Sequence, residues 1–277
     1  MIRVRRVGGA ANATPLAFGL TKTETDGRWF EPAETTSHRG TVVQTPKNGL
    51  LASIPASERI EVQSLCEPVK LPLGRVLYEP RGLFDYVYFP ETAIISNVAP
   101  LKTGRTAETS ITGREGLVNV GAIMGDGQSM HRAVVHVSGD ATRISFREFQ
   151  ELQARLPVFR RKLNAYSRAF LAQVMQSVAC NASHTLRQRC ARWLLKCHDR
   201  VDGDELRLTQ QFLAEMLVVS RVAVNAELKK FQQRQVLTYS RGIITILDRG
   251  LLEHTSCECY RTIRREYDRL LPGSFTK

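Results

Sequence analysis

Arg221 and Asn225 stand four residues apart, about one helical turn, directly after Ser220. A guanidinium can grip O6 and N7 of guanine with two hydrogen bonds, and a carboxamide can pair in the same way with adenine. Val222, beside them, can meet a thymine methyl. Groups suited to phosphate lie around this trio: Gln211, Ser220, Lys229 and Arg241. Gln211 falls near the start of a helix, where free N–H groups and the positive helix end favour anions. Residues of these types at this spacing point to a helix that reads base edges in a major groove, with double-stranded DNA as partner. Taken singly, Arg241 is equally well explained as a solvated hairpin tip, and Lys229 is better explained as solvated surface.

Base reading needs a rigid frame, and the stretch from Leu208 to Phe231 can supply one. Thr209 is placed to cap a helix whose buried side is Phe212, Leu213, Met216 and Leu217. Ser220 is placed to cap a second helix, with Val224, Leu228 and Phe231 on its buried side. A side-chain oxygen at each cap satisfies N–H groups that a first turn leaves unpaired. Two short capped helices with almost no linker must cross steeply, as in a helix-turn-helix. Ala214 falls where the two would touch. Behind them, Leu237 to Leu247 reads as two strands around a Ser240-Arg241-Gly242 turn, with Gly242 able to supply positive φ. Such a hairpin is a wing.

The segments Leu208-Thr-Gln-Gln-Phe-Leu-Ala-Glu-Met-Leu217, Ser220-Arg221 with Val224, and Arg241-Gly-Ile-Ile-Thr-Ile-Leu-Asp-Arg249 resemble the C-terminal domain of Crp/Fnr-type transcription regulators. Val87-Tyr-Phe-Pro-Glu91, Gly113-Arg-Glu-Gly-Leu117 and His131-Arg-Ala-Val-Val135 are similar to the sensor domain of one branch of that family. The resemblance spans roughly residues 50 to 260. It implies a transcription regulator that is no enzyme. It implies a homodimer, with RNA polymerase as a further partner, and a cytoplasmic location. The fold it implies is α+β: a double-stranded β-helix (jelly roll) sensor, a long dimerisation helix and a winged helix-turn-helix. It matches Arg221 to the family's base-reading arginine.

The departures from the family are specific. Val218 replaces a turn glycine, Val222 and Ala226 replace polar base readers, Glu227 replaces a small or apolar residue, and Gln235 stands where a helix-ending glycine is common. They imply a different operator. They also keep open a ligand-binding module with weakened DNA binding; a cupin-like metalloenzyme is a more distant reading. In the sensor, Asn119 stands at the position of the Glu that holds a ribose, and His131 at that of the Arg that holds a cyclic phosphate. Asn119, His131 and Arg132 are therefore the expected effector pocket, with cyclic nucleotide an ill-fitting ligand. An iron–sulfur cluster is not expected, since only Cys66 precedes Cys180. No cofactor is assigned. Cys257-Glu-Cys259 has no matching pair nearby in sequence and reads as buried thiols, with no metal ligands assigned.

The remaining elements must hold these sites apart and connect them. Residues 1–47, rich in Thr, Gly, Ala and Pro, show no sustained period and are expected to be disordered. Residues 48–156 are expected to form the β-domain. A short helix over Ser57–Leu65 precedes strands at Val69–Leu71, Arg75–Tyr78, Tyr86–Phe89, Ile94–Ala99, Thr106–Thr112, Ala133–Val137 and Thr142–Ser145. Phe146 to Leu156 reads as a helix. A long helix follows over 157–182, with Leu163, Tyr166, Phe170, Leu171, Val174 and Val178 in one apolar stripe. Such a stripe fits packing on the β-domain or on a two-fold mate; Ser177 and Asn181 would fall near that seam. Residues 183–260 form the DNA domain, floored by a helix over Thr185–His198, and 261–277 a tail or helix.

Net charge is +12 and the pI about 9.7. The excess is even: 17 Lys+Arg against 11 Asp+Glu from Ser183 onward, and 22 against 16 before it. Charge alone therefore supports nucleic-acid binding only weakly. No apolar run reaches the ~18 residues of a membrane span, so no membrane partner is expected. Six cysteines without regular spacing fit reduced thiols.

Overall fold

The computed structural model describes residues 45–102, 106–125 and 127–275. The expectation of disorder for residues 1–47 falls almost wholly outside them. Helices α1 (Gly49–Ala52) and α2 (Ala56–Ser64) lead into β1 (Glu67–Leu71), β2 (Val76–Tyr78), β3 (Tyr86–Pro90), β4 (Ile94–Pro100) and β5 (Thr106–Thr112). Helix α3 (Gly121–Met124) separates these from β6 (Arg132–Val137) and β7 (Gly139–Ser145). The strands pair antiparallel in two sheets, β1-β7-β3 and β2-β6-β4-β5. Side-chain alternation sorts each strand between two environments. In β6, Ala133 and Val135 enter the core between the sheets, while Val134 packs on the outer side of the four-stranded sheet.

Helix α4 (Phe146–Arg155) precedes the long helix α5 (Pro157–Ser183), which opens with Pro157, whose missing N–H costs nothing in a first turn. One face of α5, with Phe159, Leu163, Tyr166, Phe170 and Gln173, is buried. Tyr166 Oη donates to the Leu117 carbonyl at 2.8 Å and Gln173 Nε2 to the Ile111 carbonyl at 3.0 Å. The expected single stripe is thus two. Leu163, Tyr166 and Phe170 belong to the β-domain core, whereas Leu171, Met175 and Val178 are 58%, 65% and 68% exposed. Ser177 is buried, accepting from Arg192, and does not interrupt the exposed line.

Helix α6 (Leu186–His198) starts at a capping box of Thr185 and Gln188. Then come β8 (Glu205–Arg207), α7 (Gln210–Leu217), α8 (Arg221–Gln233), β9 (Leu237–Ser240), β10 (Ile243–Ile246) and α9 (Arg249–Thr255). The small sheet has the order β8-β10-β9. The last helix, α10 (Cys259–Leu270), runs back beside α5 and puts Ile263, Tyr267 and Leu271 into the sensor core. Residues 261–270 are therefore part of a packed helix.

The C-terminal winged domain is docked on the outer face of the four-stranded sheet. Ile94, Val98 and Ile111 share one apolar core with Trp193, Leu213 and Met216. Phe212, expected on the inner side of α7, instead sits with its ring centroid 3.7 Å from that of His136, which also meets Trp193 edge-on at 5.3 Å. Charged pairs cross the same boundary. Arg200 Nη2 donates to Glu115 Oε1 at 2.8 Å, with both side chains wholly buried. Arg114 pairs with Asp202 at 2.9 Å. Glu108 accepts from Trp193 Nε1 at 2.9 Å and Ser96 Oγ at 3.0 Å, with Lys196 Nζ at 4.0 Å. Gly113 is required here, since a Cβ would lie 2.8 Å from Arg200 Cδ.

Candidate nucleic-acid interface

The frame for base reading forms from the predicted caps. Thr209 Oγ1 accepts from Phe212 N at 3.1 Å and Ser220 Oγ from Ala223 N at 3.2 Å. Leu213, Met216, Leu217, Val224, Leu228 and Phe231 are buried, and Ala214 is 2% exposed. Between the helices Val218 has φ 57° and ψ 44°, the left-handed conformation a glycine would take without strain. Gln235, the other residue in a glycine's place, has φ 56°. The chain thus keeps both turns and holds the strain, which for an L-residue amounts to about 1–2 kcal/mol each. These two substitutions have not altered the backbone path of the helix-turn-helix.

Arg221 and Val222 are exposed at the start of α8, Val222 to 78%. Asn225 is half-buried, its Oδ1 accepting from Gln210 Nε2 at 3.1 Å, which leaves its amide N–H groups for a base. Gln211 is exposed and bonded to Glu215 at 2.8 Å. Lys229 is exposed, while Lys230 pairs with Glu227 at 2.7 Å. Glu227 also receives Arg187 at 3.1 Å, and these two cations hold its carboxyl below the usual range against some burial. Glu227 therefore acts as a tie between α6 and α8. Arg241 and Gly242, at φ 49° and 81°, form the two-residue wing turn; positive φ at both positions suits the tight hairpin.

Gln211, Ser220 and Arg221 line a cleft of about 830 Å³ whose other wall is the β-domain, with Ser96, Val98, Thr106, Arg132 and Val134. Sequence reasoning misses this docking, because it depends on which outer-face residues of the sheet are apolar. Val98, Ile111 and Val134 are the signal: each is apolar on a face that an isolated sheet would give to water.

The expected effector trio is not one pocket. Asn119 and His131 do come together inside the β-domain: Asn119 Nδ2 donates to Ser129 Oγ, which donates to the His131 carbonyl at 2.6 Å. His131 Nε2 meets Asn97 Oδ1 at 2.7 Å, and Asn97 Nδ2 donates to Ser110 at 3.0 Å and Thr112 at 3.2 Å. Burial lowers the His131 pKa to about 4, so the ring is neutral near pH 7. Arg132, one residue on in an extended strand, faces the opposite side, into the cleft, and pairs with Glu79 at 3.2 Å. Asn119, His131 and Arg132 thus bring neither a carboxylate for a ribose nor a guanidinium for a cyclic phosphate into the interior. They do not fit a cyclic nucleotide.

Cys257 and Cys259, which lack a neighbouring pair in sequence, gain one in space. The return of α10 along α5 brings Cys180 and His184 beside them. No described helix is long and apolar enough to cross a membrane.

A capped helix-turn-helix with a wing is tied by a long helix to a two-sheeted β-domain. Residues 188–255 match the Crp-like helix-turn-helix domain. The fold is similar to that of FixK2 from Bradyrhizobium japonicum, with a TM-score of 0.60 at 16% identity over 69% of this chain and 98% of that one. It is also similar to CLP, a c-di-GMP responsive global regulator of Xanthomonas campestris, with a TM-score of 0.55 at 16% identity over 69% and 98%. A Crp/Fnr-family transcriptional regulator of Thermus thermophilus gives a TM-score of 0.50 at 16% identity over 69% and 98%. No curated protein matches the sequence significantly. Residues 188–255 therefore carry a Crp-like helix-turn-helix domain, and the chain shares its fold with these solved structures.

Proposed function

We propose that this regulator acts as a homodimer that reads a near-palindromic DNA site, and that the docked arrangement is its closed state. The observation that carries the reading is the placement of Arg221 at the exposed start of α8, beside Gln211 and Ser220. Arg221, Val222 and Asn225 contact bases; Gln211, Ser220, Lys229 and Arg241 contact phosphate. The exposed line of Leu171, Met175 and Val178 on α5 supports pairing with a second copy, since an i, i+4, i+7 apolar row is the pattern of a helix seam. Half-sites would then lie about one DNA turn apart. Opening withdraws the sensor wall from Arg221 and Gln211, through the joint near Asn181 to His184. The signal that opens it is not a cyclic nucleotide held by Asn119, His131 and Arg132.

Selection of bound sequences from a random duplex pool, followed by affinity measurement, tests the reading. Arg221→Ala should lose about 1–3 kcal/mol of discrimination at one base pair per half-site, roughly 5- to 150-fold. The variant should still bind non-specific DNA through its phosphate contacts. An Arg221→Ala protein with unchanged sequence preference would sink the assignment.

A further inference from the structure

Four side chains that DNA reading does not use meet where the long helix joins the DNA domain. Cys180 lies in the last turn of α5 and His184 just past its end. Cys257 and Cys259 flank Glu258 at the entry to α10. The three thiol sulfurs and a His184 ring nitrogen all lie within 4.8 Å of one another. Cys180 Sγ is 3.4 Å from Cys257 Sγ, and Cys259 Sγ is 3.5 Å from His184 Nδ1. A tetrahedral ion with Zn–S bonds of about 2.3 Å spaces its ligand atoms about 3.8 Å apart. The four atoms therefore match the corners around one ion. An iron–sulfur cluster spreads its thiolates over separate irons and needs a wider frame.

The surroundings match as well. His184 Nε2 faces Glu258 Oε1 at 3.1 Å. A carboxylate on the outer nitrogen holds the proton there and turns the Nδ1 lone pair toward the thiols, the usual support of a metal-bound histidine. Gln176 Nε2 donates to Cys259 Sγ at 3.1 Å, a bond that favours a thiolate. Three thiolates on a divalent ion leave one negative charge. Arg192, bonded to Ser177 one turn before Cys180, supplies opposite charge. The three cysteines form a small cluster of their own, apart from both main cores.

We propose that Cys180, His184, Cys257 and Cys259 bind a single zinc-class divalent ion, which staples the hinge end of α5 to the α9–α10 junction. Cys₃His is a donor set typical of closed structural zinc sites, with no open position for chemistry. The ligands come from segments about 75 residues apart. Loading therefore ties together the two places where the chain passes between sensor and DNA domain.

The test uses the full chain without DNA, so that its failure and that of the DNA-reading proposal are distinguishable. Elemental analysis of protein purified without chelator should give one zinc per chain. After metal removal under reducing conditions, added Co²⁺ should produce the visible bands and thiolate charge-transfer absorption of a tetrahedral thiolate site. Cys259→Ser should abolish those bands. Glu258→Ala, at an exposed position, should leave the fold intact and weaken Co²⁺ affinity by about 10- to 100-fold. A folded, reduced chain that gives no such spectrum overturns the proposal, as does unchanged affinity in Cys259→Ser. A Cys180–Cys257 disulfide found in place of metal in the freshly isolated protein overturns it too.

Discussion

The two faces of the four-stranded sheet are both partly polar and both buried, yet they are built oppositely. Toward the β-domain interior, Asn97, Ser110, Thr112, Ser129 and His131 bond to one another as neutral groups. Toward the DNA domain, Glu108 faces Lys196 and Trp193, and nearby Glu115 faces Arg200. A neutral hydrogen bond lost from a buried site costs about 1 kcal/mol, whereas a charge left without its partner costs about 3–5 kcal/mol. The interior is thus tolerant of small changes, and the joint between domains is not. Burial bears on the joint's groups too, pushing Lys196 down to about 8 and Glu108 upward. The charge sits where the domains meet and not in the β-domain interior.

The sharpest way to break that contrast is to remove one charge. Arg200→Met should cost about 3–5 kcal/mol in urea unfolding, because Glu115 is left buried without its partner. Adding Glu115→Gln should recover most of the loss, while Ser110→Ala in the interior should cost about 1 kcal/mol. Equal losses for Arg200→Met and Ser110→Ala would erase the distinction.

Acid probes both faces at once. Burial lowers His131 to about 4 and His136 to about 3, so both rings are neutral in the folded chain. The unfolded chain takes up these protons near pH 6.5 and the folded chain resists. Stability should therefore fall as pH drops from about 6.5, down to about 4 for His131 and about 3 for His136. At ~1.4 kcal/mol per unit, His131 alone withdraws roughly 3 kcal/mol by pH 4. His136→Phe keeps an aromatic ring against Phe212 and Trp193 and should flatten its share of the unfolding profile. An unchanged profile would mean that His136 titrates as it does in water.

The smallest effect concerns the DNA domain itself. Val218→Gly should raise stability by up to about 1 kcal/mol in a thermal melt, since left-handed backbone strain outweighs the added freedom of the unfolded chain. Val218 is outside the charged joint, so its gain should add to the Arg200→Met loss. Failure to add would show that the turn and the joint are coupled.

Much of this was readable from residues. The short β-domain strands lie within three residues of their predicted ends because Pro and Gly punctuate them, and the Thr209 and Ser220 caps fall where the oxygens allow. Strand β8 was missed, since Glu205-Leu-Arg207 has one apolar residue and an Asp/Gly-rich approach. The placement of Arg132 was recoverable, because adjacent residues of a strand cannot share a pocket with the same aim. The Cys180–Cys257 encounter was not, since local spacing says nothing about two segments brought together by a helix doubling back. The two faces of α5 shared one apolar periodicity in sequence, and only packing separated them.

The return of α10 to the sensor core has a mechanical consequence. A regulator whose DNA domain hangs from one strand of chain can swivel about many axes. Here it is hung by two straps, one leaving α5 near His184 and the other re-entering through Cys259. A body held at two points turns freely only about the line through them. For modest movements the reading head therefore has one rotation and one arc, like a door rather than a pendulum.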